Sequence, residues 1–296
     1  MMRKSSQALI SQKYDRKGMF SEIWKRIRTN PGAVLGLFVL TVLVLAMITG
    51  IFTISYDQVT KMNVLQRLKP PSAEHFFGTD EMGRDMILRV IYGLRYSYSL
   101  AIGAVVMAFT VGTFMGSLAG YFGGRIDTII MRTTDIMSSV PTILLGMVIV
   151  SVLGGSALNL LLAIGITASP MFVRMSRASL LTVRGNEYIE AAQAIGMSNF
   201  RIVFTQALPN ALSPLIVTLT SRMGTAILEI ASLSFLGFGV KVPLPELGSL
   251  VASGRNYISI APFITVLPGL FIVLTTFSFA MLGDGLRDAL DPRLKK

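Results

Sequence analysis

An all-α membrane protein with six transmembrane helices is the fold class this sequence predicts, and three observations predict it. Of its 296 residues 52% are hydrophobic and only 15% charged, where a soluble domain carries about a quarter charged residues. Mean hydropathy is +0.63, which points to lipid as the solvent. The apolar residues fall in long charge-free blocks, with Lys and Arg gathered in the connections between them. That distribution also accounts for the net charge of +11. The basic residues form no soluble patch interleaved with aromatics, so nucleic acid is not an expected partner.

The elements follow in chain order. Residues 1–32 read as a polar, basic cytoplasmic segment ahead of a six-helix domain over 33–296. The first block, 33–53, is uncharged; at about 1.5 Å per residue it spans roughly 30 Å, the thickness of the hydrocarbon layer. A cleavable signal peptide has a shorter basic region and a small-residue cleavage site, so this block is expected to be a retained span. The second span is placed at 97–120. The uncharged stretch 136–173 is too long for one crossing, and Gly154-Gly155-Ser156 supplies a turn, dividing it into 136–153 and 157–173. The fifth span, 212–236, contains Arg222 and Glu229, and the sixth runs over 262–283. With the amino terminus inside, eighteen Lys and Arg fall in inner segments and eight in outer ones, so both termini are expected in the cytoplasm.

Composition excludes several chemistries. There is no cysteine, hence no disulfide, thiol catalysis or thiolate metal site, and the lone His75 cannot build a multi-histidine site. No nucleophile–base pair emerges, so no catalytic residue is assigned. The Gly-x-x-x-x-Gly-Lys-Ser/Thr phosphate loop is absent, and the chain is not expected to bind or hydrolyse ATP alone.

Two connections are too long to be simple turns: an outer one over 54–96 and an inner one over 174–211. In the inner loop Asn186 is placed to cap a helix, Glu187 and Glu190 put negative charge in its first turn, and Ala191, Ala192 and Ala194 favour it. Gly196 can end that helix in the left-handed conformation. Ser198 then caps a second helix carrying Phe200, Ile202, Val203 and Phe204, which Pro209 closes. In the outer loop Gly78 and Gly83 punctuate the chain, and Thr79 and Asp80 are placed to cap the apolar run that follows.

The spacing of Glu190-Ala191-Ala192, Gly196 and Leu208-Pro209 resembles the EAA loop of binding-protein-dependent ABC importer permeases. Gln206 departs from that pattern, which more often has an apolar residue or His there. Phe77-Gly78-Thr79-Asp80 with Gly83-Arg84-Asp85, then 233–237 (Leu-Ser-Phe-Leu-Gly) and the tail 282–292, resemble the second permease of dipeptide, oligopeptide and nickel importers. The resemblance covers almost the whole chain. It implies a type I importer permease (MetI-like) fold in a bacterial or archaeal cytoplasmic membrane. It also implies a heterodimer with a sister permease, two ATP-binding subunits that use ATP and Mg, and an extracytoplasmic solute-binding protein that sets selectivity among dipeptides, oligopeptides, nickel chelates and glutathione-like solutes. The helix bearing Glu187, Glu190, Ala191 and Ala192 would then be the coupling helix that docks on the ATPase. An ATP-independent secondary transporter or channel is the alternative; it requires transport by the chain alone.

Arg222 and Glu229, seven residues apart, share one helical face. Charges at that depth cost ~2–3 kcal/mol. Two readings stand side by side: the pair lines the translocation pathway, or it makes a structural contact with the sister subunit. Asp135 and Asp284 lie near inner helix ends and are read as structural.

Overall fold

Asn30 starts the first long apolar helix, its side-chain oxygen accepting the Ala33 N–H at 3.1 Å, with Pro31 at a position that needs no N–H donor. The structure is a computed structural model that describes residues 16–241 and 243–290. Helix α1 (Arg16–Thr29) precedes α2 (Pro31–Thr53), and the short α3 (Tyr56–Thr60) and a 3-10 turn (Val64–Gln66) follow. Then come α4 (Met86–Phe122), α5 (Gly124–Ser138), α6 (Thr142–Leu153) and α7 (Ala157–Val183). The remainder is α8 (Glu187–Ala194), α9 (Asn199–Ile202), a π-helical segment (Val203–Ala207), α10 (Leu208–Phe235), α11 (Leu247–Gly254), a 3-10 turn (Arg255–Tyr257) and α12 (Phe263–Leu290). Of the amino-terminal segment, the first fifteen residues lie outside the described residues, as do Asp291 and Pro292 of the tail signature.

Among the described residues, five helices are long and apolar enough to cross a membrane, and the bent pair α5–α6 makes a sixth span if counted as one. Most spans run past their sequence-based outline. The fourth, expected to stop at residue 173, reaches Val183, the fifth, expected from 212, is helical from Asn199, and the sixth reaches Leu290, so much of the expected inner loop 174–211 is helix. The second and third spans differ for reasons visible in the structure. The second was expected at 97–120 after a loop reaching residue 96, but α4 already begins at Met86. Asp85 caps it, accepting from Ile87 N–H at 2.9 Å and Leu88 N–H at 3.3 Å. The charges that made this stretch look like loop are accommodated: Arg89 is buried against Asp80, and Arg95 sits 5.8 Å from the centre of the Tyr92 ring. The third span, expected as one helix over 136–153, is broken, its halves meeting at 91°. Pro141 is responsible, since it disfavours helical backbone at Val140 and has no N–H to continue the ladder.

Helix α4 is the axis of the molecule, and its closest partner is α7. Gly112, Gly116 and Gly120 form a stripe on α4; a Cβ at these positions would lie 2.8, 2.3 and 2.7 Å from the carbonyl oxygens of Ser169, Val173 and Arg177. Small residues at this spacing let two membrane helices approach backbone to backbone, which matters where lipid supplies no hydrophobic drive. Ser176 adds a hydroxyl bond to the Thr113 carbonyl at 3.0 Å. Pro170 interrupts α7, and the Ser169 hydroxyl donates to the Ile166 carbonyl that Pro170 leaves free, at 2.8 Å.

The core runs along α4, α7, α10 and α12, with Leu94, Ala101, Leu160, Phe172, Ile227 and Ile264 almost wholly buried. Helix α2 sits at the flank: at Gly36 a Cβ would lie 2.8 Å from the Ser278 carbonyl of α12. Asn30 and Asp288 join the start of α2 to the end of α12 at 3.2 Å. This basic end of the bundle also carries residues 184–208; the opposite end carries residues 54–85 and α11.

Candidate functional site

At the basic end α7 stops at Val183 and the chain turns through Gly185 into α8. Ile189 and Ala192 point inward and pack with Leu180, Ile202, Val203 and Ala207. Glu187, Tyr188, Glu190, Ala191 and Ile195 face outward, and Ile195 and Phe200 are 78% and 58% exposed. These side chains leave apolar surface exposed beside the carboxylates of Glu187 and Glu190.

Gly196 ends α8 at φ +79. Its N–H donates to the Gln193 carbonyl at 2.9 Å and the Met197 N–H to the Ala192 carbonyl at 3.1 Å, the paired bonds of a left-handed helix stop. Asn186 and Ser198 occupy the cap positions expected of them, but neither side chain makes the capping hydrogen bond. Pro209 does not close the second helix. The Leu208 N–H reaches back five residues to the Val203 carbonyl, and this wider turn accommodates the ring of Pro209, which would crowd the Thr205 carbonyl in a regular helix. Helix therefore continues from Asn199 to Phe235. Pro209 is exposed and Leu208 half-buried at the joint.

The rear of the loop is pinned by a residue that the sequence reading passed over. The Tyr121 hydroxyl at the end of α4 donates to Asn199 Oδ1 at 3.2 Å and accepts from Gln193 Nε2 at 3.1 Å. Arg184 donates to the Tyr121 carbonyl at 3.1 Å. Tyr121 is one of four tyrosines in α4, so nothing in local sequence marks it.

At the opposite end Gly78, Thr79, Asp80, Gly83, Arg84 and Asp85 form a closed knot. Asp80 accepts from the Met82 and Arg84 N–H groups at 2.8 and 2.9 Å, from Arg84 Nε at 2.7 Å, and from Arg89. Thr79 donates to the Gln66 carbonyl and accepts from the Lys69 N–H. Thr79, Asp80 and Arg84 are buried. Neither Thr79 nor Asp80 caps α4 as expected, because their oxygens are taken up inside the loop and Asp85 does so instead. The other carboxylate oxygen of Asp85 meets His75 Nδ1 at 2.8 Å. At the start of α11, Glu246 is fully buried. It caps α11 through the Gly248 and Ser249 N–H groups and accepts the Ser97 hydroxyl of α4 at 2.9 Å. The sequence reading singled out neither residue.

Arg222 and Glu229 find each other: Nη2 of Arg222 lies 3.2 and 3.1 Å from the two carboxylate oxygens. Both side chains are mostly buried. Arg222 also lines a cavity of about 530 Å³ between the α5–α6 elbow and α7. Asp135 pairs with Arg174 at 3.0 Å and Asp127 with Arg177 at 2.5 Å, which ties the elbow to α7; Asp284 is exposed.

A family model described as "Binding-protein-dependent transport system inner membrane component" matches residues 112–296. A second, for the N-terminal TM domain of oligopeptide transport permease C, matches residues 18–71. The dipeptide transport system permease protein DppC of Alkalihalophilus pseudofirmus is 44% identical over 274 residues, 93% of this chain and 90% of that protein. The oligopeptide transport system permease protein OppC of Bacillus subtilis is 36% identical over 290 residues, 97% of this chain and 94% of that one. In shape, the chain matches one from an inward-facing MetNI methionine ABC transporter with a TM-score of 0.57 at 20% identity, over 70% of this chain and 98% of that one.

Proposed function

Because this chain belongs to the binding-protein-dependent transport system inner membrane components, we propose that it is one of two permeases in an ATP-driven importer of short peptides, and that α8 is where the ATPase engages it. Relatives named for dipeptide, glutathione and oligopeptide transport support the substrate class. In this reading a sister permease completes the pathway, two partner subunits bind ATP and Mg, and a solute-binding protein delivers peptide at the end bearing the 54–85 loop. The excess of Lys and Arg in the segments at the basic end supports placing that end, and both termini, on the cytoplasmic side of a bacterial or archaeal inner membrane.

The observation that carries the coupling role is the two-sidedness of α8. Its front, with Glu187, Tyr188, Glu190 and Ala191, is free to meet a partner, and its back is fastened to α4 through Tyr121 and to α10 through the Gly196 stop and the π-helical joint. A load on the front is therefore delivered to two spans at once. Arg222, with Glu229 behind it, is read as lining the pathway.

Reversing charge on the front tests this. In the four-subunit assembly reconstituted with its binding protein, Glu190→Arg should cut peptide uptake at least about tenfold, with the chain inserted and paired normally. Uptake at the wild-type rate with Glu190→Arg would remove α8 from the coupling path. The chain reconstituted alone should move no peptide.

A further inference from the structure

The cavity between the elbow and α7 has an asymmetric lining. Met137, Val140, Leu145, Met171 and Met175 supply its large apolar side chains, Ser138, Thr142 and Thr167 add hydroxyls, and its charged members are two arginines, Arg174 and Arg222, with no carboxylate among the lining residues. Its volume of about 530 Å³ falls in the ~300–1,000 Å³ range of small-molecule sites. The two arginines are not equivalent. Arg174 is about half exposed and paired with Asp135. Arg222 is mostly buried, meets Glu229 through Nη2 alone, and keeps Nε–H buried with no partner. A buried guanidinium donor left unpaired is costly, and a carboxylate is the group whose geometry best matches its planar fork.

We propose that this cavity is a transit subsite for the carboxyl-terminal end of a short peptide, with Arg222 holding the carboxylate and the methionine wall receiving the last side chain. This rests on the reading of the chain as a peptide permease. Glu229 then has a defined part: it holds Nη2 and so aims the remaining donors of Arg222. The unbranched thioethers suit a site that must accept side chains of many shapes.

Two photo-reactive tripeptides test it, alanyl-alanyl-photoleucine and photoleucyl-alanyl-alanine, each irradiated during ATP-driven uptake by the complete assembly in proteoliposomes. The carboxyl-terminal probe should label the segments around Met137 and Met171–Met175, and the amino-terminal probe should not. Arg222→Gln should lower that labelling about tenfold or more. Since that variant leaves Glu229 buried and unpaired, Arg222→Gln/Glu229→Gln is measured beside it; it keeps the shape of the pair without its charge and should lose the labelling equally. Equal labelling by both probes, or labelling undiminished in both variants while the wild type imports both tripeptides, overturns the subsite and leaves the peptide permease standing. Failure of the wild type to import either tripeptide overturns both.

Discussion

Gly83 and Gly196 both sit at positive φ, +72 and +79, yet their surroundings differ completely. A Cβ at Gly83 would lie 1.8 Å from the Asn63 carbonyl oxygen, whereas at Gly196 it would meet nothing within 4 Å. Gly83→Ala is therefore expected to break the knot, a loss above about 2 kcal/mol visible as protease cleavage between residues 61 and 85 and a lowered melting temperature of the assembly. Gly196→Ala carries only the left-handed penalty of about 1–2 kcal/mol, and Gly196→Asn less; both should fold. Asn outperforming Ala in uptake would mark φ as the constraint. The left-handed turn at Gly196 was legible from the sequence, whereas Gly83 read only as loop punctuation. What separates them was not legible, because the obstacle at Gly83 is backbone twenty residues upstream. The same limit hid Glu246, whose partner Ser97 lies in a different helix, and Tyr121, whose partners come from the 193–199 turn.

Among the elements, the α4–α7 pair is the one whose disruption should be felt most widely. Gly116→Leu would drive a branched side chain into the Val173 carbonyl, 2.3 Å from the Cβ position, and separate the two helices along the half nearer the basic end. Loss of the assembled complex on size-exclusion chromatography in detergent is the expected result; a normal elution profile would show that the stripe tolerates separation. Span α2 was readable almost to the residue, since an uncharged apolar block between a cap and a loop leaves little choice. The start of α4 was not, because hydropathy counts Arg89 and Arg95 as loop and does not register that Asp80 and Tyr92 receive them. The break at Pro141 is written in the sequence but is masked by the uncharged run on either side of it.

For the whole molecule, the natural lack of cysteine makes orientation directly measurable. Ser72 and Glu187 are both exposed, at opposite ends of the bundle. A membrane-impermeant maleimide applied to intact cells should react with Ser72→Cys and reach Glu187→Cys only after permeabilisation. The reverse pattern would invert the topology and place α8 out of reach of any cytoplasmic ATPase.

The continuous run from Asn199 through the π-helical joint to Phe235 has a mechanical corollary. Its 37 residues make a rod of about 55 Å. One tip lies beside α8, and near the other Ala231 packs against Gly248 of α11. Pivoted near its middle, such a rod swings its two tips in opposite directions, by roughly 5 Å for a tilt of about 10° at that length. In the proposed importer, drawing the tip beside α8 inward would thus push the far one out, and a small nudge at one end of the bundle would become a comparable opening at the other, with no chain of intermediate contacts required to relay it.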